Sequence, residues 1–362
     1  MPIKYVKQIA HSRLHRAAVD VERAYTNSRV QAGDVLISVK GTIGRVGVVP
    51  PRFSGNIARE LARLRIARSH SAEFVAHQLE AEHTQKRIAK EVVGSTRLEF
   101  SIATLRDFHL PIPGTLSEER KIADILTTWD EALAQLDALI EAQERRKKAL
   151  MQQLLTGRRR LKGFSKPWKR FRFSELLEPQ DRYVEFDDDH TYSLVSIRRR
   201  SGGVFFREAL QGADIKTKVM KRVHSGDFLI SRMQVVHGAL GMVRPECDGM
   251  YASDSYDVLV TKDAKILHMP FLDWMSRMRS FWHLAYISSH GVHIEKMTFK
   301  LSDFMHEKIT LPSDLEEQRQ IAAILDTADQ QLTLLRTQRT ALDQQKRGLM
   351  QRLLTGKLRV KL

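Results

Sequence analysis

The sequence predicts an α+β fold in which two mixed α/β domains alternate with two long helices as an internal pseudo-twofold repeat. Three observations carry that expectation: a duplicated helical segment, a fainter repeat in the stretch before each copy, and a switch from strand-and-turn patterning to heptad patterning in both halves. The stretch 116–162 returns as 315–361 at a constant offset and without a gap, and 22 of 47 positions are identical. That degree of identity marks a duplication.

Each copy reads as a helix that needs a partner helix. In the first, Leu126, Leu133, Ile140, Lys147 and Leu154 fall at one heptad position, and Ile122, Trp129, Leu136, Gln143 and Leu150 at the other. The second repeats this with Leu325, Leu332, Arg339, Lys346 and Leu353, and with Ile321, Ala328, Leu335, Leu342 and Leu349. Such a stripe also suits ordinary bundle core, but two matching stripes in one chain favour a coiled-coil seam. At 1.5 Å per residue, about forty helical residues make a rod of about 60 Å. Lys147 and Lys346 interrupt the seam, and such residues set register at a cost, so leucine at both is expected to tighten the pair. Each helix follows a proline (Pro113, Pro312), has glutamates in its first turn (Glu118, Glu119, Glu316, Glu317) and stops at a Thr-Gly pair, 156–157 and 355–356.

The domain boundaries follow: a first globular segment over 1–113, a spacer helix and connector over 114–163, a second globular segment over 164–312 and a second spacer helix over 313–362. A chain of 362 residues with 42% hydrophobic content has room for two real cores. Its single cysteine, Cys247, excludes an intrachain disulfide and a cysteine zinc cluster, which points to the cytoplasm. No apolar run reaches membrane-spanning length and MPIKYVKQIAH lacks the core of a signal peptide, so no membrane association is expected. Fifty-nine basic against 43 acidic residues give a net charge of +16, a field that attracts a polyanion. The excess is steepest in the first globular segment, which holds 18 basic and 10 acidic residues against 22 and 19 in the second.

Within the first segment, GDVLISVKGTIGRVGVVP (33–50) alternates apolar residues with glycines and predicts short strands joined by tight turns. No Gly-Lys-Ser/Thr follows, which argues against a phosphate loop. The stretch 72–91 has helical spacing, and LEFSIATLRDFHLPIP (98–113) reads as a return strand. In the second segment, WKRFRFSELLEPQ opens with a strand and a short helical turn. TYSLVSIRRRSGGVFF then reads as a hairpin turning at Ser201-Gly202-Gly203. Gly226-Asp227 and the strand after it align with Gly33-Asp34, and Gly238 and Gly241 with Gly41 and Gly44. A helical stretch near 270–289 replaces the one at 72–91.

The twofold plan, the GDxLIS strands at 33–38 and 226–231, the helix beginnings EERKIADIL and EEQRQIAAIL, and the helix ends LMQQLLTGRRR and LMQRLLTGKLR together resemble the specificity subunit of type I restriction-modification systems. The resemblance covers nearly the whole chain. It implies that the globular segments are target-recognition domains, each reading one half of a split, asymmetric site in double-stranded DNA. It also implies that the two long helices pair as an antiparallel coiled coil that receives two methyltransferase (modification) subunits, with an endonuclease/translocase (restriction) subunit joining through them. No Trp-x-x-x-x-Phe-Ser-Glu opening like that at Trp168 precedes Tyr5, so the first recognition domain reads as shortened at its N-terminus.

Phosphate contacts from lysine and arginine supply affinity, while a few side chains at base edges supply sequence choice. Candidates in the second domain are Arg198, Arg199 and Arg200 at the hairpin, Lys216, Lys218, Lys221 and Arg222 before the Gly-Asp strand, and Arg232, Gln234 and His237 after it. Arginine pairs bidentately with guanine and glutamine with adenine, which singles out Arg232 and Gln234. In the first domain the candidates are Lys40, Arg45, Arg52 and Arg59. No catalytic set, cofactor motif or metal cluster stands out; His237, His290 and His293 are too scattered for a metal site. The expected role is therefore non-catalytic recognition. The alternative is a nonspecific or architectural DNA-binding coiled-coil protein without a methyltransferase partner.

Overall fold

A computed structural model describes residues 18–53, 55–92 and 98–361. The stretch before Tyr5, on which the expectation of a shortened first domain rests, lies outside them. In chain order the first half forms α1 (Val19–Arg23), β1 (Arg29–Val30), β2 (Val35–Ser38), β3 (Val46–Val48), β4 (Gly55–Asn56), β5 (Leu61–Leu64), α2 (Ala72–Glu80), α3 (Glu82–Glu91), α4 (Ile102–Arg106) and the long α5 (Leu116–Leu154). The second half opens with β6 (Lys169–Arg172), α6 (Phe173–Leu176), β7 (Leu177–Pro179), β8 (Thr191–Ile197), β9 (Val204–Gln211), β10 (Met220–Arg222), β11 (Phe228–Ser231), β12 (Leu240–Met242), β13 (Tyr251–Ser253) and β14 (Tyr256–Thr261). It closes with α7 (Met269–Met275), α8 (Arg279–Ile287), β15 (Ser289–His290), β16 (Thr298–Phe299), α9 (Leu301–His306), β17 (Lys308–Leu311) and the long α10 (Leu315–Leu354). Two compact units result, Met1–Glu141 with Thr333–Leu362 and Ala142–Leu332, so each unit takes in part of both long helices.

In the first unit, β2 runs antiparallel between β3 and β5. Val35, Ile37 and Val39 alternate inward onto a core shared with Ala76, Leu79, Ile88 and Phe100. Gly33 has φ +81, a left-handed turn that a side chain would strain. The next residue explains the Gly-Asp pair: the buried Asp34 carboxylate accepts the Gln31 N–H at 2.9 Å and two bonds from Arg65, both at 3.0 Å. Burial pushes the Asp34 carboxyl up, yet the Arg65 and Gln31 hydrogen bonds outweigh it and hold it below the usual range. The expected return strand is instead α4, because Ser101 caps the Thr104 N–H at 3.0 Å and starts a helical turn there.

The second unit builds the same core sheet more fully. β11 lies between β12 and β14, and β7 extends the sheet past β14. Gly226, at φ +95, and the buried Asp227 repeat the turn: Asp227 accepts the His224 N–H at 2.7 Å and binds Arg182 at 2.5 and 3.1 Å. The arginine comes from before the strand in this unit and from after it in the first. Strand register corrects the glycine alignment by three positions. Gly47 faces Leu36 as Gly241 faces Leu229, and the left-handed Gly44 and Gly238 occupy the intervening turns. A second four-stranded sheet, β10-β13-β8-β9, has no counterpart among the described residues of the first unit. Helices α7 and α8 stand where α2 and α3 do, and Phe173 stacks on Phe304 at 4.1 Å to anchor the opening motif.

Both units contain part of the long-helix pair. The helices run 39 and 40 residues without a break. In the first unit Glu118, Asp130 and Asp137 meet Arg359, Lys346 and Arg339; partner numbers fall along one helix as they rise along the other, so the pair is antiparallel. In the second unit Lys147 meets Asp329 and Arg160 meets Glu317, the same pairs one repeat on. Every seam position is buried or half-buried, from Ile122, Leu126, Leu133 and Leu154 to Ile321, Leu325, Leu332 and Leu353. The helix-end motif has a function in this packing. Gly157 and Gly356, at φ +69 and +74, turn the chain out of the helix. Arg160 and Arg359 then return to grip the first-turn glutamate of the opposite helix at 2.6 and 2.7 Å. Leucine at Lys147 and Lys346 therefore does not simply tighten the seam, because each lysine neutralises an aspartate on the facing helix.

Candidate nucleic-acid interface

The β8–β9 hairpin turns as expected, from Arg198, whose N–H bonds Gly203 O at 3.0 Å. Arg200 and Ser201 sit at φ +59 and +55, a region that costs a non-glycine residue about 1 kcal/mol or more. A second loop holds them there. The Arg200 N–H donates to His237 O at 2.7 Å and the Ser201 N–H to Gly238 O at 2.9 Å. Ser201 Oγ accepts the Trp282 Nε1–H at 3.0 Å. Gly238 is required because a Cβ there would lie 3.2 Å from Arg200 Cα and 3.1 Å from the Trp282 ring. The fold thus joins Arg198, Arg199 and Arg200 to the turn that carries Gln234 and His237. Arg199 and Arg200 are exposed, and Arg198 lies 3.9 Å over the Phe205 ring. The Gln234 Oε1 is buried without a hydrogen-bond partner among the described residues, so in this conformation that oxygen does not face a ligand.

Two candidates are taken up inside the domain. Arg232, singled out for guanine, instead holds Asp257 Oδ1 through Nε at 2.9 Å and a terminal nitrogen at 2.7 Å, with Asp254 at 3.6 Å. Asp257 is 5% exposed, and this arginine is what neutralises it. Lys221 is 2% exposed, 3.0 Å from Asp181 and 3.6 Å from Asp254, under the Tyr183 ring. Neither presents a free cation to a ligand in this conformation.

Lys216, Lys218 and Arg222 sit at or just before β10, at the sheet edge opposite β9, and do not join the arginine turn. Lys218 pairs with Asp188 at 2.6 Å and overlies Phe186, Arg222 flanks Tyr251 at 5.7 Å, and Lys216 lines a cavity of about 370 Å³ with Tyr251 and Tyr256. In the first unit Lys40 pairs with Glu99 at 3.2 Å and Arg59 with Glu60 at 3.1 Å, exposed pairs worth little and open to exchange. Arg52 is exposed in a turn at φ +61. Arg45 is half-buried beside Glu80 and Gln85, its Nε without a hydrogen bond among the described residues. The bond from Trp282 to Ser201 spans 81 residues and leaves no local signal in the sequence. Among the described residues no three His, Cys, Asp or Glu side chains gather to hold a metal ion. No described helix is long and apolar enough to cross a membrane.

Duplicated α/β domains tied to an antiparallel helix pair, one of them presenting an arginine turn, define a nucleic-acid-recognition scaffold. A family model, the type I restriction modification DNA specificity domain, matches residues 9–143 and 166–344, one match per repeat. The chain belongs to this family, and its function is DNA sequence specificity within a type I restriction-modification system. The putative type I restriction enzyme MjaX specificity subunit of Methanocaldococcus jannaschii is 26% identical over 363 residues, 92% of this chain and 80% of the relative. The MjaVIII specificity subunit of the same organism is 24% identical over 270 residues, covering 70% and 62%. Among solved structures, the type I system S subunit from M. genitalium has a TM-score of 0.59 at 14% identity, covering 90% of this chain and 83% of that one. A chain from a type I R-M system studied for complex assembly and conformational transition has a TM-score of 0.53 at 18% identity, covering 91% and 83%. Both share the fold.

Proposed function

We propose that each recognition domain reads one half of a bipartite, asymmetric site in double-stranded DNA, and that the chain directs two methyltransferase subunits and an endonuclease/translocase subunit to it in the cytoplasm. The observation that carries this is the contrast between the two repeats. The helix pair repeats two of its ion pairs, Lys346 with Asp130 as Lys147 with Asp329 and Arg359 with Glu118 as Arg160 with Glu317, while the domains differ in strand number and in surface cations. A repeated scaffold suits two copies of one partner, and unlike domains suit two unlike half-sites.

In the second domain the reading surface is the arginine turn with Gln234 and His237. Arg199 and Arg200 engage phosphates or guanine edges, and Gln234 turns its amide outward on binding to pair with adenine. Arg232 and Lys221 support that surface from within. The chain alone cuts and methylates nothing. Methylome sequencing of cells carrying the chain with its methyltransferase partner tests the reading. A methylated-adenine motif in two specified parts around a fixed unspecified gap is expected, and a contiguous motif or none counts against it.

A further inference from the structure

Beside the arginine turn the second unit raises a hairpin that recognition as proposed above leaves unused. β15 and β16 pair Ser289 with Phe299 and His290 with Thr298, and the chain between them closes through Lys296 N–H to His293 O at 2.8 Å. Gly291 is needed for this closure: at φ +150, a Cβ there would lie 3.0 Å from Met297 Cα. The base is anchored, with Met297 and Phe299 buried and His290 Nε2 2.5 Å from Asp303 Oδ2. The tip is the reverse: Val292 is 95% exposed and Ile294 51%. A glycine-closed hairpin anchored at its base thus holds two branched aliphatic side chains in water, where they are free to make contact.

Its surroundings indicate the partner. Phe299 N–H bonds Arg232 O at 2.9 Å, which ties the hairpin to the loop leading into Gln234 and His237. α8, just before it, contacts the arginine turn through Trp282. Lys296 is exposed beside the tip and Lys300 at the base of the hairpin, on a loop that also carries Glu295. An apolar tip beside lysines is the arrangement of side chains that enter a base step while neighbouring cations hold the phosphates. The tip adjoins the arginine turn, a surface already suited to a polyanion, which favours a nucleic acid over a protein partner.

We propose that Val292, supported by Ile294, is a wedge that inserts at a base step beside the half-site read by the second domain, unstacking it and bending the duplex. The inference rests on the DNA-reading role proposed above. Unstacking costs energy that a mismatched step has already lost, so the wedge predicts a difference between two duplexes. The experiment uses the chain assembled with its methyltransferase partner and a duplex bearing the motif obtained from methylome sequencing, intact or with one mismatch within or next to the second half-site.

Val292→Ala is expected to weaken binding to the intact duplex about 5-fold or more and to recover most of that affinity on one of the mismatched duplexes, scanned one position at a time. In the wild-type complex, 2-aminopurine at the same position is expected to brighten on binding, and in V292A to stay dim. Unchanged affinity in V292A, or an equal loss on every duplex, overturns the wedge while leaving recognition intact. Failure of the wild-type complex to prefer the motif over scrambled DNA would instead overturn the DNA-reading role, and the wedge with it. Because Val292 is almost wholly exposed, V292A is expected to fold; an unchanged thermal midpoint confirms it, and Val292→Ile, which keeps the apolar tip, should retain the brightening.

Discussion

Lys346 Nζ lies 2.6 Å from Asp130 Oδ1 across the antiparallel helix pair, with the lysine 5% and the aspartate 7% exposed. The equivalent pair one repeat away, Lys147 with Asp329, is far more open, its aspartate side chain 44% exposed. Removing one partner of a buried pair leaves the other charge uncompensated, at about 3–5 kcal/mol. Lys346→Leu should therefore lower the denaturant midpoint by several times as much as Lys147→Leu, whose pair is worth about 1 kcal/mol or less. The double variant K346L/D130L should recover most of the loss. Equal midpoints for K346L and the unaltered chain would show that the buried pair does not hold the helices.

Helix α2 adds two titratable groups to the same neighbourhood. Burial, helped by the Lys346 charge, pushes the His77 imidazole down to about 3, so it is neutral in the folded chain. Its contribution is complete above the unfolded value near 6.5 and is lost as pH falls toward 3. Glu80 runs the other way: burial, with Asp130 adding and Lys346 opposing, pushes it up to about 8. It folds protonated, so its contribution is complete below about 4.5 and declines as pH rises to 8. Above pH 6.5 only the Glu80 decline remains of the two. Glu80→Gln should flatten the fall in unfolding midpoint between pH 6.5 and 8, and a slope identical to the wild-type chain would refute the assignment.

Arginines that look alike in sequence should separate in experiment. Arg199 and Arg200 are exposed, so replacing both with alanine should leave the thermal midpoint within about 1 °C. It should also weaken DNA binding and reduce the salt slope by about 1 for each phosphate that is no longer neutralised. Arg232 holds Oδ1 of the buried Asp257 with two nitrogens, and Arg232→Ala should destabilise the domain by about 3 kcal/mol. Comparing calorimetry with a salt titration of binding checks both. A stable R232A that loses only binding would return Arg232 to the reading surface.

The helix pair was the most legible part of the chain, because a heptad repeat states which face is buried and a duplication states it twice. The motifs at the helix ends were also visible, but their purpose was not. Nothing local says that Arg160 reaches Glu317, 157 residues away. The Gly-Asp turns were visible through residues whose conformation admits few alternatives. The glycine alignment slipped by three positions because Gly41, Gly44 and Gly47 are evenly spaced, and only strand register distinguishes them. The site was legible as a type of residue rather than as a place. Exposure separates Arg199 from Arg232, and it depends on acidic partners such as Asp257 that the sequence cannot assign to either.

Two independent readers mounted on one repeated scaffold should be exchangeable one at a time, and exchanging a single reader tests that most directly. Residues 164–312 would be replaced by the corresponding segment of another family member whose methylated motif is known, and the methylome of cells carrying the chimera and its methyltransferase would be sequenced. One half of the motif should change to the donor's half, with the other half and the gap between them retained. A motif that changes in both halves, or in neither, would contradict the division of labour.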